Sequence, residues 1–161
     1  MEKFPITKNG FVKMQNHLKN LKQVERPLIT SAIASARELG DLSENAEYHA
    51  AREKQSFVES KIKDLDDKIA RAEIIDVEKL SGDRIQFGAT VELVNIENDE
   101  ELVYIITGEY ESNIAKRMIS ISSPIAKGLI GKVVGDIIEI HTPGGKKSLE
   151  VISINYKNFD I

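Results

Sequence analysis

A turn signal between two long helical patterns limits what this chain can fold into. Before the turn, apolar residues recur three and four residues apart, at Phe11, Met14, Leu18 and Leu21 and again at Leu28, Ala32, Ala36 and Leu39. After the turn, the same spacing runs through Ala51, Gln55, Val58, Ile62, Leu65, Ile69 and Ala72. Gly40 can adopt the left-handed conformation that ends a helix, and Asp41 or Ser43 can cap the next one. The pattern predicts an antiparallel helical hairpin, roughly 45 Å long at 1.5 Å per residue, whose tip lies at Gly40 to Glu44.

Pro27 interrupts the first of these two patterns. Proline removes one backbone hydrogen bond of a helix and clashes with the preceding turn. Glu25 also breaks the apolar series at this point. We therefore expect a kink or break near Arg26 and Pro27.

The periodicity changes to that of strands in the second half of the chain. Residues 76–83 form a linker, and strands are predicted around residues 85–93, 102–106, 118–122, 137–141 and 149–156. Ser123 and Pro124 are typical of the start of a short helix, and Thr142 to Lys146 predicts a hairpin turn. The predicted fold class is α+β, with an N-terminal coiled coil over residues 1–75 and a mostly antiparallel sheet with a short helix over residues 84–161.

Composition and charge exclude several functions. The chain has no cysteine, which rules out disulfides and thiolate chemistry, and its three histidines have no zinc-ligand spacing. It shows no secretory signal and no apolar run that could span a bilayer, so we expect a cytoplasmic protein with no membrane contact. Residues 1–75 carry 13 basic and 12 acidic residues (+1), whereas residues 76–161 carry 9 and 14 (−5). Strong unaided binding to nucleic acid would need a more basic chain.

Two interpretations fit the acidic pair at the tip. Asp41 and Glu44 have the spacing of a capping box, which stabilises a helix N-terminus, and the spacing alone favours this structural role. The alternative is metal binding, because Mg²⁺ is often held by one or two carboxylates together with groups from a partner. One aspartate can also serve both roles.

Arg37 and Arg52 flank the tip from opposite helices. Ion pairs with the neighbouring glutamates Glu38, Glu47 and Glu53 are the ordinary role for such residues on a charged helix. Contact with RNA phosphates is the alternative.

Four segments together resemble the Gre family of bacterial transcript cleavage factors. They are Ala36 to Glu53, Phe87 to Val91, Ser123 to Lys132 and Thr142 to Gly145. The resemblance covers nearly the whole chain, and it implies a coiled coil followed by a domain of FKBP-like fold.

The resemblance also implies a partner and a mechanism. The globular domain would dock at the rim of the secondary channel of bacterial RNA polymerase, and the coiled coil would enter that channel. Asp41 and Glu44 would help to hold a second Mg²⁺ at the polymerase active site, and Arg37 and Arg52 would hold the 3′ end of backtracked RNA. The polymerase would then cleave that RNA. The chain would therefore be a monomeric accessory factor rather than an enzyme, and it would bind no cofactor when isolated.

Three other functions stay open at this point. A channel binder without cleavage activity would lack the acidic pair, which is present here. A prolyl isomerase would need an aromatic pocket, whereas residues 76–161 contain no Trp and few other aromatic residues. A structural coiled-coil adaptor would need Asp41 and Glu44 only for folding.

Overall fold

The computed structural model describes residues 2–159 and 161, and it divides into two compact units. One unit comprises residues 11–72 with Glu2, and the other comprises residues 3–10 and 73–161. The first ten residues were expected to belong to the coiled coil, but residues 3–10 group with the sheet unit instead. No helix in the described part of the chain is long and apolar enough to cross a membrane.

The regular elements follow one another in a simple order. They are β1 (Phe4–Thr7), α1 (Lys8–Asn20), α2 (Arg26–Arg37), α3 (Ala46–Arg71), β2 (Ala72–Ile75), β3 (Ala89–Asn95), β4 (Glu101–Thr107), β5 (Met118–Ser120), α4 (Pro124–Leu129), β6 (Ile137–Thr142) and β7 (Gly145–Tyr156). β1 and β2 pair as a two-stranded sheet that was not predicted from the sequence. The predicted linker contains a single 3₁₀ turn over Val77–Lys79, in which Val77 is buried.

The break predicted near Pro27 is a π turn. Residues Leu21–Glu25 form this turn between α1 and α2, and the Arg26 N–H bonds to the carbonyl of Leu21, five residues back. A π turn widens the helix by one residue, and Pro27, which has no N–H to donate, follows it in the first turn of α2.

The extra residue in the π turn changes which side chains face α3. Uninterrupted spacing predicted Leu28 and Ala32 in the interface, but Leu28 is 62% exposed and Ile29 is only 4% exposed. Ile33 and Ala36 are buried with Ile29. The predicted interface is therefore wrong at Leu28 and Ala32, where the next residue along the chain is buried instead, and correct at Ala36. Leu39 is also exposed rather than packed.

The helical hairpin, residues 11–72, has an apolar seam and ion pairs beside it. On α3 the predicted positions Val58, Ile62 and Leu65 are buried. Arg26 on α2 forms a bidentate salt bridge with Glu59 on α3, with N–O distances of 2.8 and 2.9 Å. The 26 residues of α3 give a length of about 39 Å at 1.5 Å per residue.

The second unit contains a five-stranded curled sheet in the order β5-β4-β3-β7-β6. All neighbouring pairs are antiparallel except β4 and β5, which are parallel. Ser123 caps α4 by accepting a hydrogen bond from the Ala126 N–H, as predicted. The hairpin turn also forms as predicted, because Thr142 pairs with Gly145 across it. The α+β fold class is therefore confirmed, with one parallel pair in a mostly antiparallel sheet.

The sheet and α4 enclose one apolar core. The core includes Ile85, Ala89, Val91, Leu93, Ile106, Ile119, Ala126, Leu129, Ile138, Ile140, Leu149 and Val151. Burial of these side chains supplies the main stabilisation of the unit.

A buried carboxylate attaches the N-terminal strand to this unit. Glu111 is 2% exposed and accepts hydrogen bonds from the Thr7 N–H at 3.0 Å, the Thr7 hydroxyl and the Gly108 N–H at 3.3 Å. The Gly10 N–H in turn donates to the Thr7 hydroxyl oxygen. A Cβ at Gly10 would lie 2.6 Å from the Glu111 carboxyl carbon, so any larger residue there would displace this carboxylate.

Glu111 should make folding stability depend on pH. Burial raises the pKa of its carboxyl above the usual value, although its hydrogen bonds act in the opposite direction. Because the folded state then holds the proton more tightly than the unfolded state, this group lowers the free energy of unfolding as pH rises from about 4.3 through the raised pKa.

An uncharged amide in place of the Glu111 carboxylate could still accept hydrogen bonds from both N–H groups through its oxygen. We therefore expect Glu111→Gln to gain stability relative to wild type as pH rises from acid to neutral, measured by urea unfolding. A difference that is constant with pH, or one equally present in the exposed control Glu109→Gln, would contradict this prediction.

Candidate functional site

The apex of the hairpin is a short irregular segment between α2 and α3. Gly40 has a φ of 121°, a conformation that side-chain-bearing residues rarely adopt, so it ends the α2 region as predicted. One 3₁₀ turn follows over Leu42–Glu44, and α3 begins at Ala46. The predicted tip is therefore confirmed as a tight connection.

Asp41 caps the 3₁₀ turn rather than the long helix. Its Oδ1 accepts hydrogen bonds from the Ser43 N–H and the Ser43 hydroxyl, both at 3.0 Å. The backbone bond and then the hydroxyl bond hold the pKa of the Asp41 carboxyl below its usual value. No hydrogen bond within the described chain occupies Oδ2. One oxygen thus fixes the side chain, while the other remains free for a ligand.

Asn45 joins the two helices at the apex, a role that was not predicted from the sequence. Its Oδ1 accepts from the Tyr48 N–H at 3.0 Å and so caps α3, while its Nδ2 donates to the Ala36 carbonyl at 2.5 Å. One half-buried side chain therefore joins the end of α2 to the start of α3. Asparagine prefers the N-cap position, and Asn45 stands directly before the second helical pattern, so its capping role could have been predicted from the sequence.

Glu44 forms no capping box with Asp41. Its carboxylate has no hydrogen bond or ion pair to any residue from 2 to 159, so the reciprocal bond predicted from the Asp41 and Glu44 spacing is absent. Both side chains line one open depression at the apex, together with Leu39, Asn45, Ala46 and Glu47. The fold thus brings the two carboxylates to one surface and leaves three of their four oxygens available.

Arg37 and Arg52 come from the two helices that meet at the apex. The Arg37 guanidinium carbon is 6.0 Å from the centroid of the Tyr48 ring, which is a cation–π distance. Arg52 follows Tyr48 by four residues on α3, so the two share a helix face. Neither arginine makes an ion pair within the described residues, and both are exposed. The expected pairs with Glu38, Glu47 or Glu53 are therefore absent.

The two carboxylates of the apex offer oxygen atoms, the type of ligand that a hard cation prefers. Oxygen ligands suit Mg²⁺, which needs few protein carboxylates when other groups complete its octahedral shell. The part of the chain that the structure describes contains no group of three or more His, Cys, Asp or Glu able to hold a metal. The apex by itself therefore provides only part of a ligand set.

Comparison with known proteins matches both units. The family model "Transcription elongation factor, N-terminal" matches residues 4–74, and "Transcription elongation factor, GreA/GreB, C-term" matches residues 80–156. The transcription elongation factor GreA of Rickettsia prowazekii is 61% identical over 159 residues, covering 99% of this chain and 98% of that protein. GreA of Brucella anthropi is 56% identical over 156 residues, covering 97% and 99%.

A solved structure, that of the GreA factor homolog 1 of Thermus thermophilus, is 28% identical, covers 96% of this chain and 99% of its own, and has a TM-score of 0.45. The two family models together span almost the whole length, and the curated relatives match from end to end. The chain therefore belongs to the GreA/GreB family of transcription elongation factors.

Proposed function

We propose that this chain is a transcript cleavage factor for bacterial RNA polymerase. The apex of the hairpin enters the secondary channel and reaches the active site, where the polymerase cleaves the extruded 3′ end of backtracked RNA. The polymerase performs the reaction, and the chain contributes Asp41 and Glu44 to its active site. Elongation then resumes from the new 3′ hydroxyl.

The observation that carries this proposal is the exposed carboxylate pair at the apex. Water can satisfy the oxygens of an exposed carboxylate, and a metal ion can replace that water. The Glu44 carboxylate has no hydrogen bond or ion pair in the described chain, and Asp41 uses one oxygen only. The pair lies next to the start of α3, a helix about 39 Å long, and a long slim hairpin suits delivery into a narrow channel.

Asp41 and Glu44 would hold a Mg²⁺ ion together with groups of the polymerase. When bound, the ion lowers the pKa of a coordinated water and so supplies a nucleophile for attack on a phosphodiester. The Ser43 hydrogen bonds fix the orientation of the Asp41 carboxylate before the ion binds. Asn45 holds the segment that carries both carboxylates.

Arg37 and Arg52 would hold the RNA next to this pair. The Arg37 guanidinium lies against the Tyr48 ring, Arg52 is exposed one helical turn after Tyr48, and neither has an acidic partner in the described chain. Unpaired arginines suit phosphate groups, because their fork of N–H donors matches phosphate oxygens.

Removing both arginines should weaken the response to backtracked RNA. We expect Arg37→Gln with Arg52→Gln to lower the cleavage rate about fivefold. The slope of the logarithm of this rate against the logarithm of salt concentration should become shallower by about 0.7 for each phosphate contact that is lost. The measurement is the cleavage rate in stalled complexes between roughly 50 and 200 mM salt, a range over which phosphate contacts weaken strongly. Lys61→Gln with Lys63→Gln removes the same charge from exposed positions farther along α3, and should change neither quantity. Equal effects from both pairs would contradict a specific RNA contact.

The proposed function has a direct test. Purified full-length chain is added to stalled, backtracked polymerase complexes that carry RNA labelled at its 5′ end, and polymerase alone serves as the control. We expect the RNA to shorten faster and to remain extendable when nucleotides are added. The same rate of shortening with and without the chain would refute the proposal.

A further inference from the structure

Helix α1 crosses the boundary between the two units of the chain. It spans Lys8–Asn20, and its first three residues belong to the sheet unit, whereas Phe11 and the residues after it belong to the hairpin. Sharp bends in helices occur mainly at prolines and π turns, and α1 contains neither before the π turn that begins at Leu21. The way in which the sheet unit holds the first turn of α1 therefore helps to determine how firmly the hairpin is attached to that unit.

Thr7 precedes α1 and connects it to Glu111. The Thr7 hydroxyl oxygen accepts a hydrogen bond from the Gly10 N–H at 3.0 Å, which is the bond of a helix N-cap. A hydroxyl has one hydrogen, and Thr7 donates it to Oε2 of Glu111. Oε1 of Glu111 accepts from the Thr7 N–H at 3.0 Å and from the Gly108 N–H at 3.3 Å. One carboxylate from the loop between β4 and β5 therefore fixes both the backbone and the side chain of the residue that caps α1.

Two glycines let these groups come close together. A Cβ at Gly10 would displace the Glu111 carboxylate, and a Cβ at Gly108 would overlap the Pro5 carbonyl oxygen on β1. Neither glycine has a positive φ, so the backbone conformation does not require them. Close contact of β1, α1 and the β4–β5 loop is therefore the reason that glycine suits both positions. We call Thr7, Gly10, Gly108 and Glu111 the α1 anchor.

The buried carboxylate of the α1 anchor has no cation beside it. Glu111 is 2% exposed, and it makes no ion pair within the described chain. Replacing a buried charged group by a well-packed apolar residue is often neutral or stabilising, so stability alone does not favour a glutamate here. An apolar contact has no preferred direction, however, whereas hydrogen bonds fix the positions of the groups that they join. The α1 anchor is thus better suited to fixing the start of α1 than to stabilising the fold.

We infer that Glu111 and Thr7 are positioning residues for RNA cleavage, because they make the first turn of α1 a rigid part of the sheet unit. The inference rests on the proposed function, and it takes the sheet unit to contact the polymerase outside the channel. If α1 could pivot at its start, the apex carboxylates would spend less time in the active site, because a loosely tethered group has a lower effective concentration there. A firm α1 anchor presents the apex in few directions, so a larger share of the bound chains is productive.

A loose anchor and an unstable fold have different effects on cleavage kinetics. A loose anchor should lower the maximal cleavage rate at saturating chain, because fewer bound chains have the apex in place. Partial unfolding removes active chains from solution. It therefore raises the total concentration of chain needed for half-maximal cleavage and leaves the maximal rate unchanged.

Three variants of the full-length chain test the α1 anchor. Thr7→Val removes the hydroxyl and keeps the shape of the side chain, whereas Thr7→Ser keeps the hydroxyl. Gly10→Ala removes no hydrogen-bonding atom but displaces the Glu111 carboxylate. Alanine normally stabilises a helix relative to glycine, so helix propensity cannot explain a loss of activity in this variant. The control is Asn95→Ala, which removes a hydrogen bond from the Glu97 N–H to a buried side chain elsewhere in the same unit.

Two measurements separate positioning from stability. The first is the cleavage rate in backtracked complexes as a function of chain concentration, at a temperature where thermal melts show that every variant is folded. The second is the distribution of distances between spin labels on Ser60→Cys in α3 and Ser81→Cys in the sheet unit, measured by pulsed electron–electron double resonance on the chain without polymerase. Both serines are exposed, and the chain has no native cysteine that would take up a label.

We expect Thr7→Val and Gly10→Ala to lower the maximal cleavage rate about fivefold and to change the half-maximal concentration less than about twofold. Both should broaden the distance distribution, whereas Thr7→Ser should match wild type in both measurements. An unchanged maximal rate or an unchanged distance distribution in Thr7→Val and Gly10→Ala would overturn the inference and leave the proposed function standing. An equal loss of maximal rate in Asn95→Ala would overturn it as well. If wild-type chain does not stimulate cleavage, the proposed function fails, and this inference fails with it.

Discussion

Changing Asp41 to Asn and Glu44 to Gln together should reduce stimulated RNA cleavage by about 100-fold or more. A shared metal supplies several kcal/mol of stabilisation in the transition state, and each 1.4 kcal/mol corresponds to about tenfold in rate. Amide side chains lack the charge that a hard divalent ion requires. The measurement is the single-turnover cleavage rate in backtracked complexes at several Mg²⁺ concentrations.

The same double variant should fold as well as wild type. The Asp41→Asn side chain can still accept a hydrogen bond from the Ser43 N–H, since asparagine caps as well as aspartate. The Glu44 carboxylate has no hydrogen bond or ion pair in the described chain to lose. Thermal melts and polymerase affinity should therefore be unchanged. If cleavage survives, or falls only in proportion to stability, the acidic pair serves folding and the structural adaptor becomes the better description of this chain.

Replacing Asn45 with Ala should destabilise the hairpin and slow cleavage together. Loss of the helix cap costs about 1 kcal/mol, and loss of the half-buried bond to the Ala36 carbonyl costs about 1 kcal/mol more. Without this bridge the segment that carries Asp41 and Glu44 can take many arrangements. We expect the cleavage rate to fall about tenfold, because misplaced groups lose the advantage of preorganisation. Far-UV circular dichroism melts and cleavage rates measure the two effects.

Asn45→Ser separates the cap from the bridge. Serine is a good cap for α3, but its shorter side chain does not provide the amide donor that reaches Ala36. The melt should recover by about half, whereas the cleavage rate should stay close to that of the alanine variant. Wild-type cleavage by the serine variant would show that the bridge does not position the carboxylates.

Local signals predicted much of this structure. Ser123 caps α4, Gly40 takes a positive φ, and a tight turn joins Thr142 to Gly145, because each of these outcomes depends on the conformational preferences of a few adjacent residues. The seam on α3 also follows its heptad spacing, since no residue interrupts that helix.

Features that depend on distant partners could not be predicted in the same way. Neither the pairing of β1 with β2 nor the Thr7 to Glu111 bonds can be read from local pattern, because the partners lie far apart along the chain. The same reason applies at the candidate site. Its four residues were chosen from the sequence, but the role of Asn45 depends on a carbonyl nine residues earlier.

The residues of the π turn also affect the direction in which the apex faces. Each α-helical residue turns the side-chain direction by about 100° about the helix axis. One extra residue in a regular α-helix would therefore rotate the apolar face of α2 by more than a quarter turn relative to that of α1. The widened turn over Leu21–Glu25 takes up that residue within one turn of helix. Met14 and Ile29 consequently both reach buried positions, although their spacing does not fit an uninterrupted heptad. The direction in which Asp41 and Glu44 point from the hairpin axis therefore depends on this π turn, which lies more than a dozen residues before either carboxylate.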